Sequence, residues 1–167
     1  SISLAVAVQM GHLLGEGKPA ESYRVGMFAL KISAILALVL SGVAWLIPSV
    51  LVGLYHPAPE LMPMIASIMG FLVIYHLCDA TQSVASFLCR AHQNAWWPAV
   101  AYAVCMWVVA LNLGHFLAYA SGNSPALIPD LAGFYVGQIA GLGLAGLMMF
   151  GFWRLVLAKR SVSLVVA

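Results

Sequence analysis

Charged residues are scarce in this 167-residue sequence: Asp, Glu, Lys and Arg make up 7% of it, while hydrophobic residues make up 63%. A soluble domain carries roughly 25% charged residues. A short chain must also expose much of its surface and needs polar residues to cover it, so an all-buried soluble core is excluded. We therefore expect lipid, rather than water, to surround most of the chain.

Cysteine is also scarce, and its spacing shows no metal or disulfide pattern. Cys78, Cys89 and Cys105 are odd in number and form no CxxC pair, which excludes a disulfide framework and a zinc site. The seven Lys and Arg residues and the net charge of +2 are too few for nucleic-acid binding. No Ser-His-Asp, HExxH or GxSxG arrangement is present, so we predict neither an enzyme nor a resident cofactor.

Long apolar runs are present instead, and four of them reach the roughly 20 residues that a helix needs to cross the hydrocarbon core. They cover residues 25–54, 61–89, 98–119 and 131–157, and a partial span at 2–14 precedes them. The runs do not alternate with period two, which excludes a membrane barrel. The sequence therefore predicts an all-α, polytopic transmembrane helix bundle. Because no initiating Met, basic leader or cleavage site precedes the partial span, we expect a fragment cut inside a helix.

Basic residues fall at one end of the predicted spans, as they do on the cytoplasmic side of membrane proteins. The opposite end has Glu60 and Asp130 and no Lys or Arg. We therefore predict a multi-pass protein of the inner membrane with a cytoplasmic C-terminus. The basic residues are Lys18, Arg24, Lys31, Arg90, Arg154, Lys159 and Arg160.

Small residues recur at every fourth position of the last predicted span, at Gly133, Gly137, Gly141 and Ala145. Small residues at this spacing let a second helix approach closely. The stripe is either a sliding interface in a moving bundle or an ordinary tight packing surface, and the sequence leaves both interpretations open.

Asp79 is the only acidic residue inside a predicted span. It lies eleven residues before Arg90, or roughly 16 Å along a helix, which is about half-way through the hydrocarbon. A charged aspartate at that depth costs on the order of 3 kcal/mol on insertion scales, so such a residue usually has a function. Other polar residues share its helical face and predict a polar stripe that faces inward: Tyr75, His76, Gln82, Ser83 and Ser86.

Three functions suit Asp79: a ligand for a hard cation such as sodium, a proton carrier, or a counter-charge for a cationic substrate. Oxygen atoms of Tyr75, Asp79 and Ser83 suit a hard cation, and a desolvated carboxylate suits proton coupling. The alternative is an aspartate that is buried for helix packing alone.

The remaining polar residues of the stripe, His76, Gln82 and Ser86, are predicted to line a cavity beside the carboxylate. A pair of histidines on facing helices could instead bind haem. The predicted depths of His76 and His115 in the membrane differ, which counts against that alternative.

Four stretches resemble, in order and spacing, the second half of transporters of the multidrug and toxic compound extrusion (MATE) family. The first is GHLLGEGKPA at 11–20, and the second is DATQSV at 79–84 with its continuation through Leu88 and Arg90 to Pro98. The third is WVVALNLG at 107–114, and the last is GFYVG at 133–137, followed by Gly141 and Arg154. Together the four stretches extend over nearly the whole chain.

This resemblance implies a parent of about twelve helices in two six-helix lobes. Residues 1–167 would be part of the C-terminal lobe, from the end of the eighth helix to the twelfth. It further implies a secondary antiporter that exports organic cations or drugs by alternating access as sodium ions or protons enter. Asp79 would line the cation site and Tyr75 would be an aromatic ligand, with the lipid bilayer, the remaining helices of the parent and small organic cations as partners.

Two alternatives to an antiporter stay open. A lipid-linked saccharide flippase of the same superfamily is expected to have more basic residues in its cavity, where this sequence predicts none. A non-transporting membrane scaffold or degenerate remnant is the other. The sequence also departs from the family pattern, because Phe87, Ala91 and Gln93 stand where a turn has glycines and Asn112 stands where a helix has a kink-forming proline.

Overall fold

The computed structural model describes residues 2–56, 58–119 and 131–166, and within these residues the chain forms helices and no strand. A 3-10 turn, Pro59–Leu61, precedes the fourth helix, and a π-helical turn, Cys105–Ala110, joins the fifth helix to the sixth. The helices are α1 (Ile2–Gly15), α2 (Pro19–Leu46), α3 (Pro48–Tyr55), α4 (Met62–Ala91), α5 (Trp96–Val104), α6 (Leu111–Ala118) and α7 (Leu131–Val166).

Four helical segments in the described residues are long and apolar enough to cross a bilayer: Pro19–Leu46, Ile68–Ala91, Trp96–Ala118 and Ala132–Val156. Their 23 to 28 residues rise about 35 to 42 Å at 1.5 Å per residue, which exceeds the hydrocarbon thickness of about 30 Å. The shorter apolar helix Ile2–Gly15 accompanies them. The predicted all-α bundle of four spans and one shorter helix is confirmed.

Proline sets the boundaries of α2. Pro19 begins the helix, where a missing N–H group is tolerated. At the other end, Pro48 disfavours helical geometry in the residue before it, and Ile47 adopts φ −121° and ψ 45°. The chain therefore leaves the helix at Leu46 and starts α3 at Pro48, so the apolar run 25–54 is divided between two helices.

The main core lies toward the end of the bundle where α1 and α4 finish and α2 begins. The Trp153 side chain of α7 has no exposed surface, and its ring stacks on Tyr23 of α2 with 5.2 Å between centroids. Met10 and Leu88 are equally buried in the same cluster. Since Arg90 closes α4 at this end, we call it the basic end of the bundle.

The glycine stripe of α7 faces α6 and the π-helical turn. A Cβ atom on Gly137 would lie 2.5 Å from the Ala110 carbonyl oxygen and 2.5 Å from the Gly114 nitrogen. One on Gly141 would lie 2.9 Å from the Cys105 carbonyl oxygen. Backbone meets backbone along this contact, so both positions require glycine.

The π-helical turn lies in the middle of the Trp96–Ala118 span. The Leu111 N–H donates to the Met106 carbonyl, five residues earlier, so one carbonyl is left without its usual donor where α-helical bonding resumes. The Asn112 amide donates to the Val108 carbonyl at 2.7 Å and to the Trp107 carbonyl at 3.4 Å. Asn112 therefore stabilises an irregular turn at the position where the family pattern has a proline.

The turn between α4 and α5 has the hydrogen bonds of a Schellman cap. The Asn94 N–H donates to the Cys89 carbonyl at 3.3 Å and the Gln93 N–H to the Arg90 carbonyl at 2.8 Å. Gln93 has φ 61°, which is the left-handed conformation that glycine usually supplies. The Asn94 side chain then accepts a hydrogen bond from the Trp97 N–H at 3.1 Å, which helps to start α5.

We expect Gly137→Ala to destabilise the protein by about 1 to 3 kcal/mol, because the new methyl group overlaps backbone atoms of α6. Thermal unfolding in detergent measures this. Gly151→Ala on the same helix is the control, since a Cβ there meets no atom within 4 Å. Equal unfolding temperatures for the two variants would contradict the close contact.

We expect Gln93→Gly to raise stability by up to about 1 kcal/mol, because glycine adopts positive φ without a steric cost. Gln93→Val should lower it, since a β-branched residue is poorly tolerated there. In the same measurement, the unfolding temperature should decrease in the order Gly, Gln, Val at position 93. The reverse order would show that the turn does not have the left-handed geometry.

We expect Asn112→Leu to cost about 1 kcal/mol, because two carbonyls lose an amide donor. Hydrogen exchange should become faster for amides within 105–112 and stay unchanged in α4. Asn112→Gln, whose longer amide can reach the same carbonyls, is the conservative control. Unchanged exchange in Asn112→Leu would mean that the side chain does not support the π-helical turn.

Candidate functional site

Asp79 lies halfway along the Ile68–Ala91 segment and is half-buried. Two grooves meet at this carboxylate. The first, of about 400 Å³, runs between α4 and α5 and includes Ser83, Arg90 and Tyr102. The second, of about 290 Å³, runs between α4 and the helices α1 and α2, and includes Ser33 and again Ser83. Asp79 and Ser83 are thus shared by both grooves.

The helical period explains why polar residues gather there. Residues three, four and seven positions from Asp79 lie on one face of a helix, and α4 turns that face toward the two grooves. Ser86 and Gln82 line the groove beside α5, and His76 lines the groove beside α1 and α2. The structure therefore brings Asp79, Ser83, His76, Gln82 and Ser86 to groove surfaces.

Tyr75 is oriented differently from the rest of the stripe. Its ring packs edge-on against Tyr135 of α7, with 6.1 Å between centroids. Tyr75 nevertheless lies within electrostatic range of Asp79, Tyr102 and Tyr135. Tyr75 therefore lies one helical turn before the carboxylate and contacts α7 through an aromatic pair.

Gln82 also contacts α7. Its amide lies 3.6 Å from the Met149 sulfur, and a Cβ on Gly146 would lie 3.4 Å from the Gln82 Cα. The side chain is only 6% exposed, although it borders the groove. Gln82 therefore contributes to helix packing as well as to the groove wall.

One expectation about charge is wrong. We expected no Lys or Arg in the polar cavity, but Arg90 lies at the basic end of the same groove as Asp79. Its guanidinium is 4.9 Å from the centroid of the Phe87 ring. The groove thus has a carboxylate at mid-span and a cation at its mouth.

Sequence reasoning missed Tyr102 of α5 as a residue of the Asp79 groove and Tyr135 of α7 as the ring partner of Tyr75. Both belong to other helices, whose rotation in the bundle is set by packing. Arg90 is on α4 itself, eleven residues after Asp79, so the helical repeat places it on the same face. The available signal was weak: Tyr102 and Tyr135 are tyrosines placed inside apolar spans, where a hydroxyl group needs a polar neighbour.

The bis-histidine alternative is not supported. His76 borders the groove beside α1 and α2, whereas His115 of α6 contacts Tyr119 with 5.0 Å between ring centroids. Within the described residues α4 and α6 do not contact each other. The two imidazoles cannot hold one haem iron.

The donors around Asp79 suit a hard cation better than a transition metal. In the part of the chain that the structure describes, no three His, Cys, Asp or Glu side chains gather in one place. The same residues contain one ion pair, Lys18 with Glu16 at 2.9 Å, so Asp79 is not neutralised by a Lys or Arg there. A carboxylate beside hydroxyl oxygens is the donor set that hard cations prefer.

A bundle of membrane-length helices with a half-buried carboxylate at mid-span defines a polytopic membrane protein. The comparison with known families is specific: the MatE family profile matches residues 1–116, so the chain belongs to that family. The resemblance stated from four sequence stretches is confirmed.

The curated relatives carry names of multidrug resistance proteins. The chain is 28% identical over 153 residues to the probable multidrug resistance protein NorM of Idiomarina loihiensis, with 89% of this chain and 32% of that protein covered. It is 26% identical over 161 residues to the NorM of Aromatoleum aromaticum, with 96% and 34% covered. It is 26% identical over 149 residues to the multidrug resistance protein MdtK of Yersinia pseudotuberculosis, with 89% and 32% covered. The chain spans about a third of the length of these relatives.

Proposed function

We propose that this chain belongs to a secondary antiporter that exports organic cations or drugs in exchange for sodium ions or protons. It would supply part of the C-terminal lobe, from the end of the eighth helix to the twelfth. The family assignment and the printed names of the multidrug resistance relatives support this proposal. Because the chain matches a third of each relative, transport itself is a property of the longer protein.

The observation that carries the proposal is the position of Asp79. A carboxylate at mid-membrane costs several kcal/mol unless it faces a polar space or a partner. Here it faces two grooves, and the groove beside α5 also contains Ser83 and Tyr102. Such an arrangement can attract a cation from water and hold it at the middle of the membrane.

Exchange follows when one carboxylate serves two cations in turn. A sodium ion would be bound by the Asp79 carboxylate with hydroxyl oxygens of Ser83 and Tyr75, whereas a proton would bind the carboxylate alone. Either ion neutralises the charge that an organic cation needs, so coupling ion and substrate compete for Asp79. The family resemblance further implies a second acidic ligand on the seventh helix of the parent.

The proposal includes an orientation and a set of partners. Basic residues gather at one end of the bundle, and such ends face the cytoplasm, so the C-terminus would be cytoplasmic in the inner membrane. The partners would be the lipid bilayer, the remaining helices of the parent and small organic cations. No nucleic acid and no resident cofactor are part of this mechanism.

Arg90 favours a second candidate, a lipid-linked saccharide flippase of the same superfamily, because a cation in the groove could bind a phosphate group. One arginine at the mouth of the groove is weaker evidence for anion transport than a carboxylate at its centre is for cation transport. A flippase would move a phosphate-containing lipid across the membrane and would not export organic cations. A non-transporting scaffold would show no efflux under any gradient.

We expect Asp79→Asn in the full-length protein to abolish gradient-driven drug efflux, because the amide keeps the shape but loses the charge. The measurement is drug accumulation in cells under an imposed sodium or proton gradient. Ser83→Ala should raise the half-saturating cation concentration roughly tenfold, the effect of losing a ligand worth about 1.4 kcal/mol.

The matched control is Thr81→Val, since the Thr81 hydroxyl donates to the Leu77 carbonyl at 2.8 Å, within its own helix, away from both grooves. It should leave efflux and cation dependence unchanged. Normal efflux in Asp79→Asn at wild-type expression would contradict the proposed coupling role.

A further inference from the structure

A third groove lies on the face of α4 that is turned away from Asp79. It has a volume of about 500 Å³ and runs between α2, α4 and α7. Residues on its walls include Leu30 and Ala34 of α2, Cys78 of α4, and Gly143, Leu147 and Phe150 of α7. We call it the outer groove. Its volume is within the range of roughly 300 to 1,000 Å³ that is usual for small-molecule sites.

The outer groove is apolar and opens at the surface of the described bundle. Thr81 borders it, but the Thr81 hydroxyl donates to the Leu77 and Cys78 carbonyls of its own helix, so it offers no hydrogen bond to a guest. Leu147 on one wall is 71% exposed, and Ile74, one turn before Cys78, is 51% exposed. An apolar surface at membrane depth is suited to contact with acyl chains.

Gly143 gives the groove its depth. A Cβ on Gly143 would meet one neighbour, the Cys78 sulfur, at 3.9 Å, which is an ordinary contact. The glycine is therefore not required by helix packing, in contrast to Gly137 and Gly141. A larger side chain at this position would fill space that is open to lipid.

Arg154 stands at the basic end of the outer groove. It follows Phe150 by one helical turn, and its guanidinium is 5.9 Å from the centroid of the Phe150 ring. Arg154 is exposed. A cation is thus held next to the aromatic ring that lines the end of an apolar groove.

Lys31 of α2 is a second cation, and it is turned by about 100° around the helix from the groove wall at Leu30. It is exposed, it follows the groove residue Leu30, and it lies between Phe28 and Ile35, which are 65% and 56% exposed. Lys31 is six residues inside the predicted span 25–54, or about 9 Å along the helix, a depth from which a lysine side chain can reach the headgroups. Helical side chains slope toward the N-terminus, so the ammonium group of Lys31 leans toward the basic end.

Neither cation has a protein carboxylate as its partner within the described residues, where Lys18 and Glu16 form the one ion pair. An ammonium group on a lipid-facing surface needs an anion at the level of the headgroups. An alkyl chain would fill the apolar groove, and a phosphate group would neutralise the two cations. A glycerophospholipid with a net negative charge supplies both.

We propose that the outer groove is a binding site for an anionic glycerophospholipid, with an acyl chain between α2, α4 and α7 and the phosphate held by Arg154 and Lys31. The site is separate from the Asp79 grooves and does not depend on the transport function. It makes the anionic lipid a structural partner that ties α7 to α2 on the side away from the carboxylate.

The test is native mass spectrometry of the intact full-length protein in detergent, titrated with phosphatidylglycerol and, separately, with phosphatidylcholine. Phosphatidylglycerol should bind more tightly. Arg154→Gln and Lys31→Gln should each weaken it about fivefold, and the double variant about 25-fold, while phosphatidylcholine is unaffected. Lys18→Gln is the matched control and should bind like the wild type, because that lysine is already paired with Glu16.

Two further variants locate the acyl chain. Gly143→Leu fills the outer groove and should reduce phosphatidylglycerol binding, whereas Gly151→Leu, on the same helix but outside the groove, should not. Cys78 should react with an uncharged maleimide more slowly when phosphatidylglycerol is present, and Cys89 and Cys105, which are buried, serve as internal controls.

The proposal is overturned if phosphatidylglycerol and phosphatidylcholine bind with equal affinity, or if the charge variants bind like the wild type while unfolding at the same temperature. A protein dimer whose contact covers Cys78 would also overturn it, since the occupant would then be a second copy. Arg154→Lys, which keeps the charge, should retain binding where Arg154→Gln loses it.

Discussion

The cost of placing a polar group in hydrocarbon governs this structure. Backbone groups satisfy each other within helices, and small hydroxyl groups do the same: Ser41 donates to the Ala37 carbonyl and Thr81 to the Leu77 carbonyl. A carboxylate has no such solution inside its own helix. Asp79 is therefore tolerated at the point where α4 borders two grooves, whose other walls belong to α1, α2 and α5. The arrangement of those helices determines what the carboxylate can bind.

The two faces of α4 border grooves of different polarity. One face carries Asp79 and Ser83 toward polar grooves, and the other carries Cys78 and Thr81 toward an apolar groove. On the far side of α7, glycine backbone packs directly on α6 and the π-helical turn. Because Gly137 fits so closely, no side chain separates α7 from α6 along this contact.

Much of this could be predicted from the sequence, and the reason is periodicity. Apolar runs gave the four spans, and the helical repeat brought Asp79, Ser83 and Ser86 to one face. The π-helical turn could not be predicted, because the sequence CMWVVA at 105–110 is typical of an ordinary helix. The neighbours of Asp79 on other helices could not be predicted either, since helix rotation depends on contacts such as that of Gln82 with Met149.

The proposed coupling role requires Asp79 to face a polar groove rather than acyl chains. Cysteine accessibility along α4 tests this directly, with Ser83→Cys and Ile74→Cys introduced separately into a protein whose native cysteines are replaced. Membrane-impermeant, charged methanethiosulfonate should modify the cysteine at 83 rapidly and the one at 74 slowly, because only the former borders the groove. Equal rates, or faster reaction at 74, would contradict the central claim.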